Sequence, residues 1–133
     1  MVDDLDEWRT LISCILQKDP LFEVACEAPD GLKAVQMAEE AEPAVVLLDI
    51  RLPKLNGIEA ARRIQKVSPE TKIVFVSGEC DPDIVKATLE VGAHAYVFKP
   101  DAPRELLTAL CSVVRGQRFV SSGLSSYGFL NVT

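Results

Sequence analysis

The chain has 133 residues, 48% of them hydrophobic and 26% charged, with a formal net charge of −6. That is enough for one compact domain with its own core, and no apolar run approaches the ~20 residues needed to span a bilayer. The acidic balance, with no Lys/Arg cluster interleaved with aromatics, argues against direct binding to nucleic-acid phosphates.

The start, Met1-Val2-Asp3-Asp4, has neither a basic nor an apolar signal region, so a cytoplasmic location is expected. Apolar residues Leu5, Trp8, Leu11, Ile12, Ile15 and Leu16 recur at helical spacing until Asp19-Pro20 breaks the pattern. Leu21 to Cys26 reads as a strand, and Pro29-Asp30-Gly31 leads into a helix over 32–40 that Pro43 ends. Ala44 to Leu48 is an unbroken apolar run ending in Asp49, as expected of a parallel strand covered on both faces. Ile58, Ala61, Ile64 and Val67 stripe the next helix, and Ile73 to Val76 form the next buried strand.

Asp81 followed by Pro82 gives a cap and a first-turn proline for a helix that runs to Val91 and stops at Gly92. Ala95 to Phe98 reads as the last strand, and Pro103 opens a final helix striped by Leu106, Leu107, Leu110, Val113 and Val114. The alternation predicts an α/β fold with a doubly wound parallel sheet. Residues 1–118 form the domain, and the Ser/Gly-rich stretch 119–133 reads as a linker or tail. The four cysteines, Cys14, Cys26, Cys80 and Cys111, have no CxxC spacing and no companion histidines, so they read as reduced packing residues.

Ligands of an open parallel sheet bind beyond the carboxyl ends of its strands. Asp49, Ser77 and Lys99 each end a strand, and Asp3-Asp4 stand where a first strand would end. Clustered carboxylates repel one another unless a hard cation sits among them, and oxygen ligands that leave several waters in place suit Mg²⁺. A lysine would complete a clamp on a phosphoryl group, a serine hydroxyl could donate to it, and one Asp49 oxygen would remain as an in-line nucleophile. Asp49 alone would pass for a helix cap; the set makes it specific. His94, the only histidine, falls between helix and strand and reads as a surface polar residue.

The acidic pair Asp3-Asp4, the run VVLLDIRLPKLNGIEA, VSGE and AYVFKP, in this order, resemble the motifs of response-regulator receiver domains. The resemblance covers residues 2 to about 118 and is greatest to receivers that precede a LuxR-type helix-turn-helix. It implies a flavodoxin-like five-stranded sheet in the order 2-1-3-4-5 and phosphorylation of Asp49 by a histidine kinase. Asp4, Asp49 and the backbone carbonyl of Arg51 would ligate Mg²⁺, with Asp3 acting through water. Lys99 would contact the phosphoryl group, the Lys99–Pro100 bond would be cis, and Ser77 and Tyr96 would form a switch pair. Pro53 and Gly57 would shape the loop over the site. Such a protein is a switch that controls an output domain, with homodimerisation a family expectation, and not an enzyme beyond slow self-dephosphorylation.

The family pattern also has a buried strand before the acidic pair, whereas only Met1 and Val2 precede Asp3, so the first strand reads as truncated. Its slot is central in the sheet; the apolar tail residues Tyr127, Phe129, Leu130 and Val132, exchanged between two chains, are a second way to fill it. Three other functions compete. A stand-alone phosphorelay adaptor differs only in what lies beyond Thr133. A phosphohydrolase of the haloacid-dehalogenase kind needs a second Asp two residues after the first, where Arg51 stands. A flavodoxin-like electron carrier wants an early phosphate-cradling loop, which is missing.

Overall fold

A computed structural model describes residues 30–52 and 54–121. The predicted first helix, the strand at 21–26, Asp3, Asp4, Pro53, Cys14, Cys26 and the tail beyond 121 lie outside the described residues.

Helix α1, Gly31–Ala41, begins where the Asp30 side chain accepts the Lys33 N–H at 2.8 Å, meeting one of the donors a helix start leaves free. It ends at Glu42, held at φ 43° before Pro43. Strand β1 is Val45–Leu48. Helix α2, Gly57–Val67, is capped by Asn56, whose side chain accepts the Glu59 N–H at 2.9 Å. Strand β2 is Lys72–Ser77, and helix α3, Pro82–Glu90, carries the predicted Asp81 cap and first-turn proline. Gly92 ends that segment at φ 103°, a left-handed conformation that side chains resist. Strand β3, Ala95–Phe98, matches its predicted bounds.

A single 3₁₀ turn, Lys99–Asp101, leads into helix α4, Ala102–Val114, and the chain then turns at Arg115–Gly116 into a two-residue strand β4, Phe119–Val120. The peptide bond into Pro100 is trans, which corrects the cis bond implied by the family likeness. The Ala102 N–H bonds back to Lys99 O across this turn.

Among the described residues four strands run in the order β1-β2-β3-β4, all parallel. The first three are the third to fifth strands of the predicted sheet. Strand β4 is an addition: the first residues of the predicted linker pair with β3, Ala95 with Phe119 and Tyr96 with Val120.

Alternating strand residues feed two cores, one on each face, as a doubly wound sheet requires. Leu48, Ile73, Phe75 and Tyr96 pack under α1, α2 and α3 with Ala38, Ile64, Val85 and Leu89. Leu47, Val74, Val76, Ala95 and Val97 pack under α4 with Leu106, Ala109, Leu110 and Val113. Val114, expected on the same stripe as Val113, is instead 65% exposed. Adjacent helix positions lie about 100° apart, so the two cannot share one narrow face.

His94 is stitched into the sheet. Its backbone N–H donates to Ile73 O at 2.8 Å, its carbonyl accepts from Phe119 N, and its ring Nδ1 accepts the Ile73 N–H at 3.1 Å. Only a ring unprotonated at Nδ1 can accept that bond. Burial, then the positive charges of Lys72 and Arg118, hold the imidazole below its usual range. The folded chain therefore resists a proton that the unfolded chain accepts once pH falls below about 6.5. Stability from this residue is present above that pH and is lost as pH drops through the unfolded value towards the folded one. Urea midpoints at pH 7.5 and 5.5 should fall with acidification, and the drop should shrink in His94→Gln.

Candidate functional site

Asp49, Ser77 and Lys99 stand at the carboxyl ends of the neighbouring strands β1, β2 and β3, as the strand-end argument requires, and Asp49 and Lys99 are in direct contact. Asp49 follows directly on β1 and is 6% exposed. One carboxylate oxygen, Oδ1, accepts the Ile50 N–H at 2.7 Å, and Oδ2 accepts from Lys99 Nζ at 2.9 Å. Both side chains of this ion pair are close to buried, so water screens it little.

The backbone is clasped tightly at this point. Gly57, the first residue of α2, donates its N–H to Ile50 O at 2.7 Å, and a Cβ built on it would stand 2.0 Å from Asp49 O. Glycine is thus demanded by close approach of α2 to the strand end that carries Asp49. The same loop contains Lys54, which adopts φ 66° and places its ammonium 3.7 Å from the Asp30 carboxylate.

Ser77 ends β2 and is almost completely buried. Its Oγ accepts the Glu79 N–H at 3.2 Å. The Tyr96 ring, on β3, lies inside the sheet-helix core, stacked on Phe75 with centroids 6.5 Å apart. Its hydroxyl donates to Glu79 O at 2.6 Å. Burial raises the phenol's pKa well above its usual value; a hydrogen bond with the Ser77 side chain pulls the other way, and the charges of Glu79 and Asp49 raise it further. The predicted pair Ser77 and Tyr96 is therefore joined in one cluster.

Glu79, in VSGE, shows no role in the sequence alone, yet it is the hub of this cluster. Its N–H meets Ser77, its carbonyl meets Tyr96, and its carboxylate pairs with Arg51 Nε at 2.7 Å, raising the guanidinium's pKa. Two of these three bonds are made by backbone atoms, which leave no mark in a sequence. Arg51 lies two residues past Asp49 with its side chain turned outward to Glu79. Pro100 is exposed within the 3₁₀ turn. Asp3, Asp4 and Pro53 lie outside the described residues. Among the described residues no group of three or more His, Cys, Asp or Glu side chains could hold a metal, Cys80 and Cys111 are free thiols, and no helix is long and apolar enough to cross a membrane.

A parallel doubly wound sheet with an acid, a hydroxyl and a lysine gathered at its carboxyl edge defines a narrow class, and comparison with known proteins agrees. The model of the response regulator receiver domain matches residues 1–111, and the chain belongs to that family. It is 33% identical over 120 residues to the transcriptional regulatory protein DegU of Brevibacillus brevis, covering 90% of this chain and 51% of DegU. It is 34% identical over 113 residues to the chemotaxis protein CheY of Thermotoga maritima, covering 85% of this chain and 93% of CheY. Among solved structures, the LuxR-family two-component response regulator from Aurantimonas sp. SI85-9A1 superposes with a TM-score of 0.89 at 29% identity, covering 94% of this chain and 89% of that one. The chain spans about half the length of DegU.

Proposed function

We propose that this chain is a phosphoacceptor switch, phosphorylated on Asp49 by a histidine kinase in a Mg²⁺-dependent reaction, that controls an output domain acting in transcription. The observation that carries this reading is the Lys99–Asp49 pair: a buried cation held 2.9 Å from a strand-end carboxylate, which supports Asp49 as the phosphoacceptor.

Mg²⁺ fits the donor chemistry. The Asp49 carboxylate and the Arg51 carbonyl are hard oxygen donors, and Mg²⁺ is commonly held through one or two carboxylates while keeping several waters. Asp4 would ligate directly and Asp3 through water. When bound, the ion offsets negative charge on the incoming group.

The chain's own residues do the rest. An Asp49 carboxylate oxygen attacks phosphorus in line, so that the new O–P bond forms as the P–N bond to the donor histidine breaks. Lys99 transfers its ammonium from Asp49 Oδ2 to a phosphoryl oxygen, where it acts as a point charge. Ser77 exchanges its acceptor role towards Glu79 N–H for donation to the phosphoryl group. Tyr96, whose hydroxyl is tied to Glu79 O, reports that shift to the surface around α3, β3 and α4. Such a change is driven only by bonds that differ between the two states. Gly57 keeps α2 seated against the backbone of Asp49, and Pro100 shapes the turn after β3.

In this reading the chain turns over no separate substrate beyond slow loss of its own phosphoryl group, works in the cytoplasm, contacts neither membrane nor nucleic acid itself, and can dimerise when phosphorylated. The likeness to DegU and to a LuxR-family regulator supports a transcriptional output. The likeness to CheY is compatible with a second reading, a stand-alone receiver that signals to a separate protein. Incubation with acetyl phosphate and Mg²⁺ should add one phosphoryl group by intact mass, and EDTA should abolish the gain. Equal uptake with EDTA present would contradict the metal requirement.

A further inference from the structure

Ser121, just beyond β4, is 1% exposed although the surrounding sequence reads as a linker. Its backbone N–H donates to Tyr96 O at 2.9 Å. Its hydroxyl reaches Asp101 Oδ2 at 2.8 Å and, more distantly, Glu105 Oε2 at 3.2 Å. Asp101 is itself nearly buried, and its other carboxylate oxygen accepts from Arg104 at 2.7 Å. Of the three residues that Ser121 bonds, Tyr96 and Asp101 are each tied to the phosphoacceptor site. Tyr96 bonds the Ser77–Glu79 loop, and Asp101 closes the 3₁₀ turn that begins at Lys99.

We infer that Ser121 and Asp101 form a clamp that fixes the start of the chain following the domain, and that occupation of Asp49 loosens it. This rests on the phosphoacceptor reading of Asp49. The physical reason is the brevity of the connection. Lys99 and Asp101 are the two ends of a single turn, so withdrawal of the Lys99 ammonium from Asp49 towards a bound group rotates the turn that presents the Asp101 carboxylate. The Ser121–Asp101 bond is buried and satisfied in the geometry with Lys99 on Asp49; a rotated carboxylate meets it less well. Strand β4 has only two residues, so the side-chain clamp is a large share of what holds it. By reciprocity, loosening the clamp alters how readily the site is occupied.

The test is amide hydrogen exchange at Val120 and Ser121 in the full chain, with and without beryllofluoride and Mg²⁺. In the wild type, beryllofluoride should speed exchange about fivefold, the effect of losing one side-chain hydrogen bond from a local opening. Ser121→Ala should exchange fast in both conditions, whereas Ser121→Thr, which keeps the hydroxyl, should retain the response. Asp101→Asn provides a second variant should Ser121→Ala fail to fold. Wild-type exchange that ignores beryllofluoride, in a chain whose mass shows phosphorylation by acetyl phosphate, overturns the clamp and leaves the phosphoacceptor reading standing. No mass gain brings down that reading and the clamp with it.

Discussion

Replacing Gly57 with alanine should destabilise the domain by about 3 kcal/mol, the upper end of what overpacking costs. The added Cβ would lie 2.0 Å from Asp49 O and 2.9 Å from Ile50 Cα. These are backbone atoms at the end of a parallel strand, and β1 is locked to β2 from Val45 to Leu48, so they cannot move aside as a side-chain tip would. Either α2 shifts outward, opening the core around Ala60, Ala61 and Ile64, or the strand end carrying Asp49 is displaced. A displacement of about 1 Å is enough to cost roughly a hundredfold in rate where reacting atoms must align, so phosphorylation should fall beyond what the stability loss explains. Gly78→Ala is the control. A Cβ there meets nothing within 4 Å, and the change should stay within about 0.5 kcal/mol. Urea midpoints at unchanged m-value compare the two.

Lys99→Met should have the other large effect, and on two observables at once. Asp49 loses its buried ammonium partner, and breaking a buried pair from one side costs about 3–5 kcal/mol. The side chains are only 11% and 9% exposed, so solvent gives little relief. If Lys99 also holds the phosphoryl group, the phosphorylation rate falls by about 10²–10³, the range seen when one preorganised electrostatic contact is removed. Rates must be measured where far-UV circular dichroism shows the variant folded. A variant that is destabilised yet phosphorylated at the wild-type rate would leave Lys99 a structural partner only.

Most of the described fold is legible in the sequence because buried parallel strands are unbroken apolar runs and the helices carry chemical start signals. Asp30, Asn56 and Asp81 cap helices through their side chains, and Ala95–Phe98 needs no more than its hydrophobicity. Of the candidate site, the convergence of Asp49 and Lys99 is legible for the same reason: strand ends are easy to find, and the topology does the converging. Strand β4 is not legible. Two residues between Arg118 and Ser121 have no period to read, and the pairing is supplied by the free edge of β3. Asp101 looks like an ordinary first-turn acid; only the folded chain brings Ser121 to it across twenty residues. Glu79 escapes notice because its backbone makes the contacts with Ser77 and Tyr96.

We propose that Asp49 itself accepts the phosphoryl group. Intact mass after acetyl phosphate and Mg²⁺, comparing wild type with Asp49→Asn, tests it most directly. The wild type should gain one phosphoryl group and Asp49→Asn none. Equal uptake by both, or uptake by neither, would contradict it.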